Sequence, residues 1–224
     1  MSDYYSNKLS GNQLKQVYEI APVRVQQYLE AEVNHVKKKI QHCDTVLELG
    51  CGYGRIIPQL AKKAKRLIGI DISYTNLILG RKMLSNISNC SLLQMDAIQL
   101  AFDDHVFDWV ICIQNGISAF HVDQHDLISE SIRVAKRGGT ILFSSYSDKF
   151  WKDRLKWFQM QSDAGLLGEI DLQKTRNGVI VCKDGFTATT VRPQEFLSLI
   201  RGFDVDTQII EVDESSLFCE IITH

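Results

Sequence analysis

The sequence contains no apolar run near the ~20 residues needed to cross a bilayer, and its first ten residues, MSDYYSNKLS, lack the apolar core of a secretory leader. A soluble, cytoplasmic chain with no membrane partner is therefore expected. Six cysteines (Cys43, Cys51, Cys90, Cys112, Cys182, Cys219) are scattered with no C-x-x-C pair, which argues against a zinc site or a redox dithiol. They read as small apolar residues in a reducing compartment, and no metal is expected. With three prolines and no repeat or Pro/Gly/Ser-rich tract, no linker divides the chain. A surplus of positive charge is also missing: the net charge is −2, so no global field draws nucleic acid or an anionic membrane. The densest basic cluster, Lys62, Lys63, Lys65 and Arg66, fits the solvated C-terminal end of a helix.

What is present suits one compact domain spanning residues 1–224: 45% of residues are apolar and 23% charged. Two helices are expected first, over 11–20 and 22–40, within an N-terminal segment ending at 44. Apolar runs then alternate with amphipathic stretches: TVLELG, RLIGID, CSLLQMD, FDWVICI and GTILFSSY. Each run is almost continuous in Val, Ile and Leu, as in strands buried on both faces. The alternation predicts a doubly wound α/β fold with a mostly parallel sheet. After a helix at RPQEFLSLI, the runs FDVDTQIIEV and SSLFCEIITH are joined by a short turn at Asp213 and Glu214, which only antiparallel neighbours allow. Residues 147–190, with an aromatic helix (KFWKDRLKWFQMQ) and hairpin signals at TRNG and KDG, read as an insertion over the carboxyl edge of the sheet, where ligands bind in such folds.

The stretch VLELGCGYGR places glycines at 50, 52 and 54 between a strand and a helix. Such a turn offers backbone N–H groups and a helix N-terminus to a ligand. The dinucleotide fingerprint G-x-G-x-x-G would need its third glycine at Arg55, so the spacing departs from it. Glu48 would also repel a pyrophosphate but could meet a cationic group. Asp71 ends the next strand, 21 residues after Gly50, where a carboxylate can accept ribose hydroxyls. Asp96 ends the third strand, placed for an exocyclic amine.

Taken together, VLELGCGYGR, LIGIDIS, LLQMDAIQL and FDWVICIQNGISAF resemble the motifs of class I, Rossmann-like S-adenosylmethionine-dependent methyltransferases, from about Thr45 to the C-terminus. The resemblance implies a seven-stranded sheet with an antiparallel C-terminal strand. It implies S-adenosylmethionine as cofactor and S-adenosylhomocysteine as product. Glu48, Gly50, Cys51, Gly52 and Gly54 would surround the methionine part, with Arg55 in the same set. Asp71 would hold the ribose, with Ile72 against the adenine; Asp96, Ala97 and Ile98 would hold the adenine. Ile113 and Gln114 would face the transferable methyl. Arg24 is the candidate for the cofactor carboxylate, and Tyr18 for a lid residue.

Methyl transfer from a sulfonium is mainly a positioning task, so an essential base is not required. His121 and Tyr146 are the candidate catalytic residues, ahead of His125 and Asp148. The aromatic group Phe150, Trp151, Trp157 and Phe158 either walls a substrate pocket or forms a packing face. QNGI at 114–117 lacks the Asn/Asp-Pro-Pro-aromatic motif of amino-methylating DNA enzymes, so DNA is not expected as a partner. Gln114 would serve poorly for a hard divalent cation. The expected reaction is transfer of a methyl group to an N, O or S atom of a small molecule, by a monomer or homodimer. Alternatives are methylation of RNA or protein, for which Lys149, Lys152, Arg154 and Lys156 interleave with aromatics, or a non-catalytic module that keeps the cofactor. An NAD-dependent oxidoreductase fits the glycine spacing poorly.

Overall fold

The computed structural model describes residues 8–224; residues 1–7 of the stretch read above as lacking a leader lie outside the described residues. Helices α1 (Asn12–Glu19) and α2 (Val23–Lys39) open the fold. Then β1 (Thr45–Leu49), α3 (Ile57–Ala61), β2 (Arg66–Asp71), α4 (Tyr74–Met83), β3 (Cys90–Gln94) and β4 (Phe107–Cys112) alternate. The second half continues through α5 (Gly116–Ala119), α6 (Gln124–Val134) and β5 (Ala135–Tyr146). A 3-10 turn at Asp148–Phe150 leads into α7 (Trp151–Asp163) and a two-strand ribbon, β6 (Ile180–Val181) and β7 (Thr187–Ala188). The chain ends with α8 (Pro193–Ile200), β8 (Val205–Val212) and β9 (Ser216–Thr223).

Seven strands form one sheet in the order β3-β2-β1-β4-β5-β9-β8. β1 to β5 pair in parallel, and β9 runs antiparallel to both β5 and β8. The strand order reverses between β1 and β4, which opens a crevice at their carboxyl ends. One face of the sheet is covered by α2, α3 and α4 through Val33, Ile57, Leu60 and Leu77. The other is covered by α6 and α8 through Leu127, Ile128, Phe196 and Ile200. Covering both faces is what makes the central strands apolar throughout.

Local chemistry sets the element ends. Ser73 caps α4 by accepting from the Asn76 amide, and Asp123 caps α6 by accepting from the His125 and Asp126 amides. Asp213 and Glu214 both lie in the left-handed region, at φ 57 and 51, the primed turn that matches strand twist in a hairpin. β5 starts earlier than the run GTILFSSY predicts. Ala135 pairs with Phe107 before a register shift, and regular pairing resumes at Thr140 with Trp109. Gly138, at φ 73, makes that bulge possible.

Residues 147–190 pack with α1 and α2 in a third apolar cluster containing Val17, Tyr28, Tyr146, Trp157 and Phe158. Both turn signals form: Arg176 bridges Val179 around Asn177 and Gly178, and β6 and β7 flank the KDG turn. Of the basic residues interleaved with aromatics here, Lys149, Lys152 and Lys156 are exposed, whereas Arg154 turns inward. Arg154 is 1% exposed, and its Nη1 donates to the Gly178 carbonyl at 2.9 Å and Thr190 Oγ1 at 2.7 Å, while Nη2 donates to the Ala188 carbonyl at 3.0 Å. Lys149 pairs with Glu211 and Glu214. One buried guanidinium thus holds the ribbon onto α7. Arg154→Ala strands those acceptors and should lower unfolding stability by about 3 kcal/mol, measured by urea denaturation.

Candidate functional site

A cavity of about 230 Å³ lies at the switch point between β1 and β4. The sheet side is formed by the glycine loop after β1, the ends of β2 and β3 and the segment after β4; the roof is formed by α1 and α7. The loop glycines 50, 52 and 54 have φ 67, 55 and 75, a region open to glycine at little cost. They also make room for protein. A Cβ on Gly50 would stand 2.3 Å from the Phe120 ring, and one on Gly54 would stand 2.6 Å from Leu84. Gly54 packs against Leu84 and lies outside the cavity wall.

Asp71 organises the loop. Its Oδ2 accepts from the Gly52 amide at 2.8 Å, and Oδ1 accepts from the Ser73 amide at 2.7 Å and from Asn76 Nδ2 at 3.3 Å. Asn76 Oδ1 in turn accepts from the Gly11 amide at 2.7 Å, which ties the entry of α1 to the end of β2. Leu14 and Val17 of α1 close the roof.

Of the other predicted residues, Tyr18, Glu48, Gly50, Cys51, Gly52, Arg55, Ile72, Asp96, Ala97, Ile113, Gln114 and Tyr146 all reach the cavity. Three do not. Arg24 binds Asp213 Oδ2 at 2.6 Å and lies over the Phe150 ring, held by the β8–β9 turn. Ile98 packs against the sheet core instead. His121 is exposed, at φ 54, and is not part of the wall. Trp157 and Phe158 wall the cavity, whereas Phe150 packs 4.9 Å from Tyr28, so the aromatic helix does both jobs foreseen for it. Leu9, Leu14, Val122 and Gln161 also line the cavity from outside the motifs, and Met95 and Phe120 line it from within motif stretches in which neither was singled out.

Among the described residues, Arg55 is the one basic residue in the wall. Its guanidinium donates to Gln114 Oε1 at 2.6 Å and lies 4.3 Å from the Tyr18 ring centroid. Glu48 is 5% exposed, and its Oε2 has no hydrogen-bond partner among the described residues. Burial, reinforced by the Asp71 charge and opposed by Arg55, pushes the Glu48 carboxyl up to about 8. An orphan acid beside a glycine loop asks for a cation or a donor from a ligand. Burial likewise lifts the Tyr146 phenol to about 12, so this hydroxyl stays protonated.

Residues 46–139 match the family model described as a methyltransferase domain. The chain is 30% identical over 104 residues to the demethylmenaquinone methyltransferase of Clavibacter sepedonicus, covering 46% of this chain and 42% of that one. It spans about half the length of the curated relatives it matches. Among solved structures, the PH0226 protein of Pyrococcus horikoshii OT3 superposes with a TM-score of 0.69 at 19% identity, each chain covered in full at 100%. The N-methyltransferase NodS of Bradyrhizobium japonicum WM9, solved with S-adenosyl-L-homocysteine, superposes with a TM-score of 0.61 at 15% identity, over 95% of this chain and 96% of that one. These likenesses show the class I methyltransferase fold. No described helix is long and apolar enough to cross a membrane.

The buried acids predict a pH dependence. Carboxyls that hold protons more tightly when folded stabilise the fold at low pH, and that contribution is lost as pH rises through their folded values. Between pH 5 and 8 the ligand-free protein should lose about 3 kcal/mol of unfolding free energy through Glu48 alone, and Glu48→Gln should flatten that decline. Thermal melts at stepped pH measure it; equal slopes in both proteins would mean that Glu48 is ionised throughout.

Proposed function

We propose that this chain, a member of the class I S-adenosylmethionine-dependent methyltransferases, transfers a methyl group to an N, O or S atom of a small molecule enclosed beneath α1 and residues 147–190. The single observation carrying this reading is the continuity of the cavity. One wall holds Asp71, Asp96 and the glycine loop, and the other is built from Tyr18, Tyr146, Trp157 and Phe158.

The donor set suits S-adenosylmethionine. Asp71 and Asp96 stand at the ends of β2 and β3, spaced for ribose and adenine, with Ile72 and Ala97 as apolar contacts. Glu48 takes the ammonium end of the cofactor, which supplies the cationic donor that its buried oxygen lacks in the protein alone. Arg55 takes the cofactor carboxylate, the role first expected of Arg24, because it is the basic group that reaches the cavity. The cofactor supplies a methyl group already activated on a sulfonium, so transfer is an in-line displacement. What the chain contributes is orientation, which can be worth about 7–11 kcal/mol of barrier.

The acceptor side is apolar and aromatic, with Gln161 and the tyrosine hydroxyls as polar contacts. Such a lining fits an acceptor with a flat or hydrophobic body. The roof excludes water and limits the acceptor's size. Tyr146, protonated, can donate a hydrogen bond to the accepting molecule, whereas His121 lies outside the cavity wall.

Calorimetric titration of the purified chain with S-adenosylmethionine and S-adenosylhomocysteine, with NAD as control, tests the cofactor reading. Micromolar binding of both is expected, weakened at least about 30-fold in Asp71→Ala through loss of two or more charge-assisted hydrogen bonds. Preference for NAD, or no binding to folded, cofactor-free protein, would overturn the reading. Given binding, a screen of extracted metabolites for labelled methyl incorporation identifies the acceptor.

A further inference from the structure

Behind the cavity wall sits a carboxylate to which no motif pointed. Glu32, midway along α2, is 0% exposed. Its Oε2 accepts from the Gln114 amide at 2.6 Å and from the Ser144 hydroxyl at 3.0 Å; its Oε1 accepts from the Ser216 hydroxyl at 2.5 Å. One side chain on a helix therefore ties together the end of β4, β5 and β9. All three donors are neutral. Burial raises the carboxyl to about 7, while the three hydrogen bonds and the nearby Arg55 charge oppose that rise.

The corner held by this carboxylate is strained. Gln114 and Asn115 are successive non-glycine residues at φ 59 and 63, a left-handed conformation costing about 1–2 kcal/mol each. It persists where surroundings over-determine it. The Gln114 amide is held by Glu32 and also donates to Ser144 Oγ at 2.7 Å. The Asn115 side chain donates to the Thr189 carbonyl and accepts from Ser145 Oγ. As a result Gln114 turns into the cavity, its Oε1 engaged by Arg55 and its Nε2 without a partner among the described residues.

We infer that Glu32 is a positioning residue of the transfer site, fixing the Gln114 corner at the wall and biasing the cavity toward a sulfonium through its charge one peptide unit behind that wall. The inference rests on the cofactor reading above. A purely structural role would be served as well by a neutral amide of the same shape, because Ser144 and Ser216 can each turn to donate or accept. A positioning role that uses charge would not.

S-adenosylmethionine carries a sulfonium and S-adenosylhomocysteine a neutral thioether, so the ratio of their affinities reports the charge near the transferable methyl. Both would be titrated into the full-length wild type and Glu32→Gln, with thermal unfolding recorded for each. Glu32→Gln is expected to weaken S-adenosylmethionine about fivefold or more relative to S-adenosylhomocysteine, since a unit charge acts across the protein interior with an effective dielectric near 20. Unchanged affinities and ratio in the variant, even with a shifted melting temperature, would make Glu32 structural only and overturn the inference. If Glu32→Gln does not fold, Glu32→Asp decides, because it keeps the charge and shortens the reach. A retained ratio with both ligands weakened supports positioning; two unchanged affinities, or a lost ratio, overturn it. Failure of the wild type to bind either ligand is a separate result, which removes the cofactor reading and this inference with it.

Discussion

The carboxylate of Asp71 is the joint on which the cavity depends. It ends a strand whose other residues are almost all buried, so its position is fixed by the sheet and not by the ligand. From there it accepts the Gly52 amide, which sets the glycine loop, and the Ser73 amide and Asn76 side chain, which set the start of α4. Asn76 passes the constraint to Gly11 at the entry of α1. Three parts of the cavity, its floor, one side and its roof, are thereby referenced to a single acid. The loop glycines are needed for the same reason: left-handed backbone lets consecutive amides converge, and the absence of side chains lets Phe120 and Leu14 approach.

Much of the fold was legible because the central strands are covered on both faces, which leaves near-continuous Val/Ile/Leu runs bounded by Gly and Asp. The C-terminal hairpin was equally legible from its short polar turn. The start of β5 was not, since the bulge through Gly138 and Gly139 looks like a loop in sequence and gains its pairing only from Phe107 across the sheet. In the site, the motif residues at strand ends converge on one cavity because a parallel sheet aligns all its carboxyl ends on one edge. Arg24 and His121 lie away from that cavity. Neither sits at a strand end: Asp213, 189 positions away, captures Arg24, and His121 has a left-handed backbone of its own.

Glu32 was legible in principle. In α2 the buried residues Val25, Tyr28, Leu29, Val33 and Val36 follow helical spacing, and Glu32 falls on the same stripe. An acid on an apolar face carries a desolvation cost that only specific donors can offset. Sequence marks the anomaly but not the partners, because Gln114, Ser144 and Ser216 lie 82 to 184 positions away. The stacked roof was hidden similarly: α1 looks like an ordinary amphipathic helix until Trp157 Nε1 is seen donating to the Val17 carbonyl, joining the N-terminal helix to the insertion.

Two buried acids in one small region would be a poor choice for stability alone. Glu48 and Glu32 each hold a proton too tightly when the cavity contains no cation, and Arg55, shared with Gln114 and Tyr18, compensates only in part. A ligand bearing an ammonium and a sulfonium reverses this balance: its charges favour the ionised forms that burial disfavours. Cofactor binding should therefore be coupled to release of protons from the site, and the coupling stiffens the same corner that the ligand must meet. Glu32 belongs to α2 and Asn76 reaches the start of α1, so the groups at the floor are bonded to the elements that carry the roof. On the proposed reading, a cationic cofactor would complete the electrostatics that the protein alone leaves unbalanced.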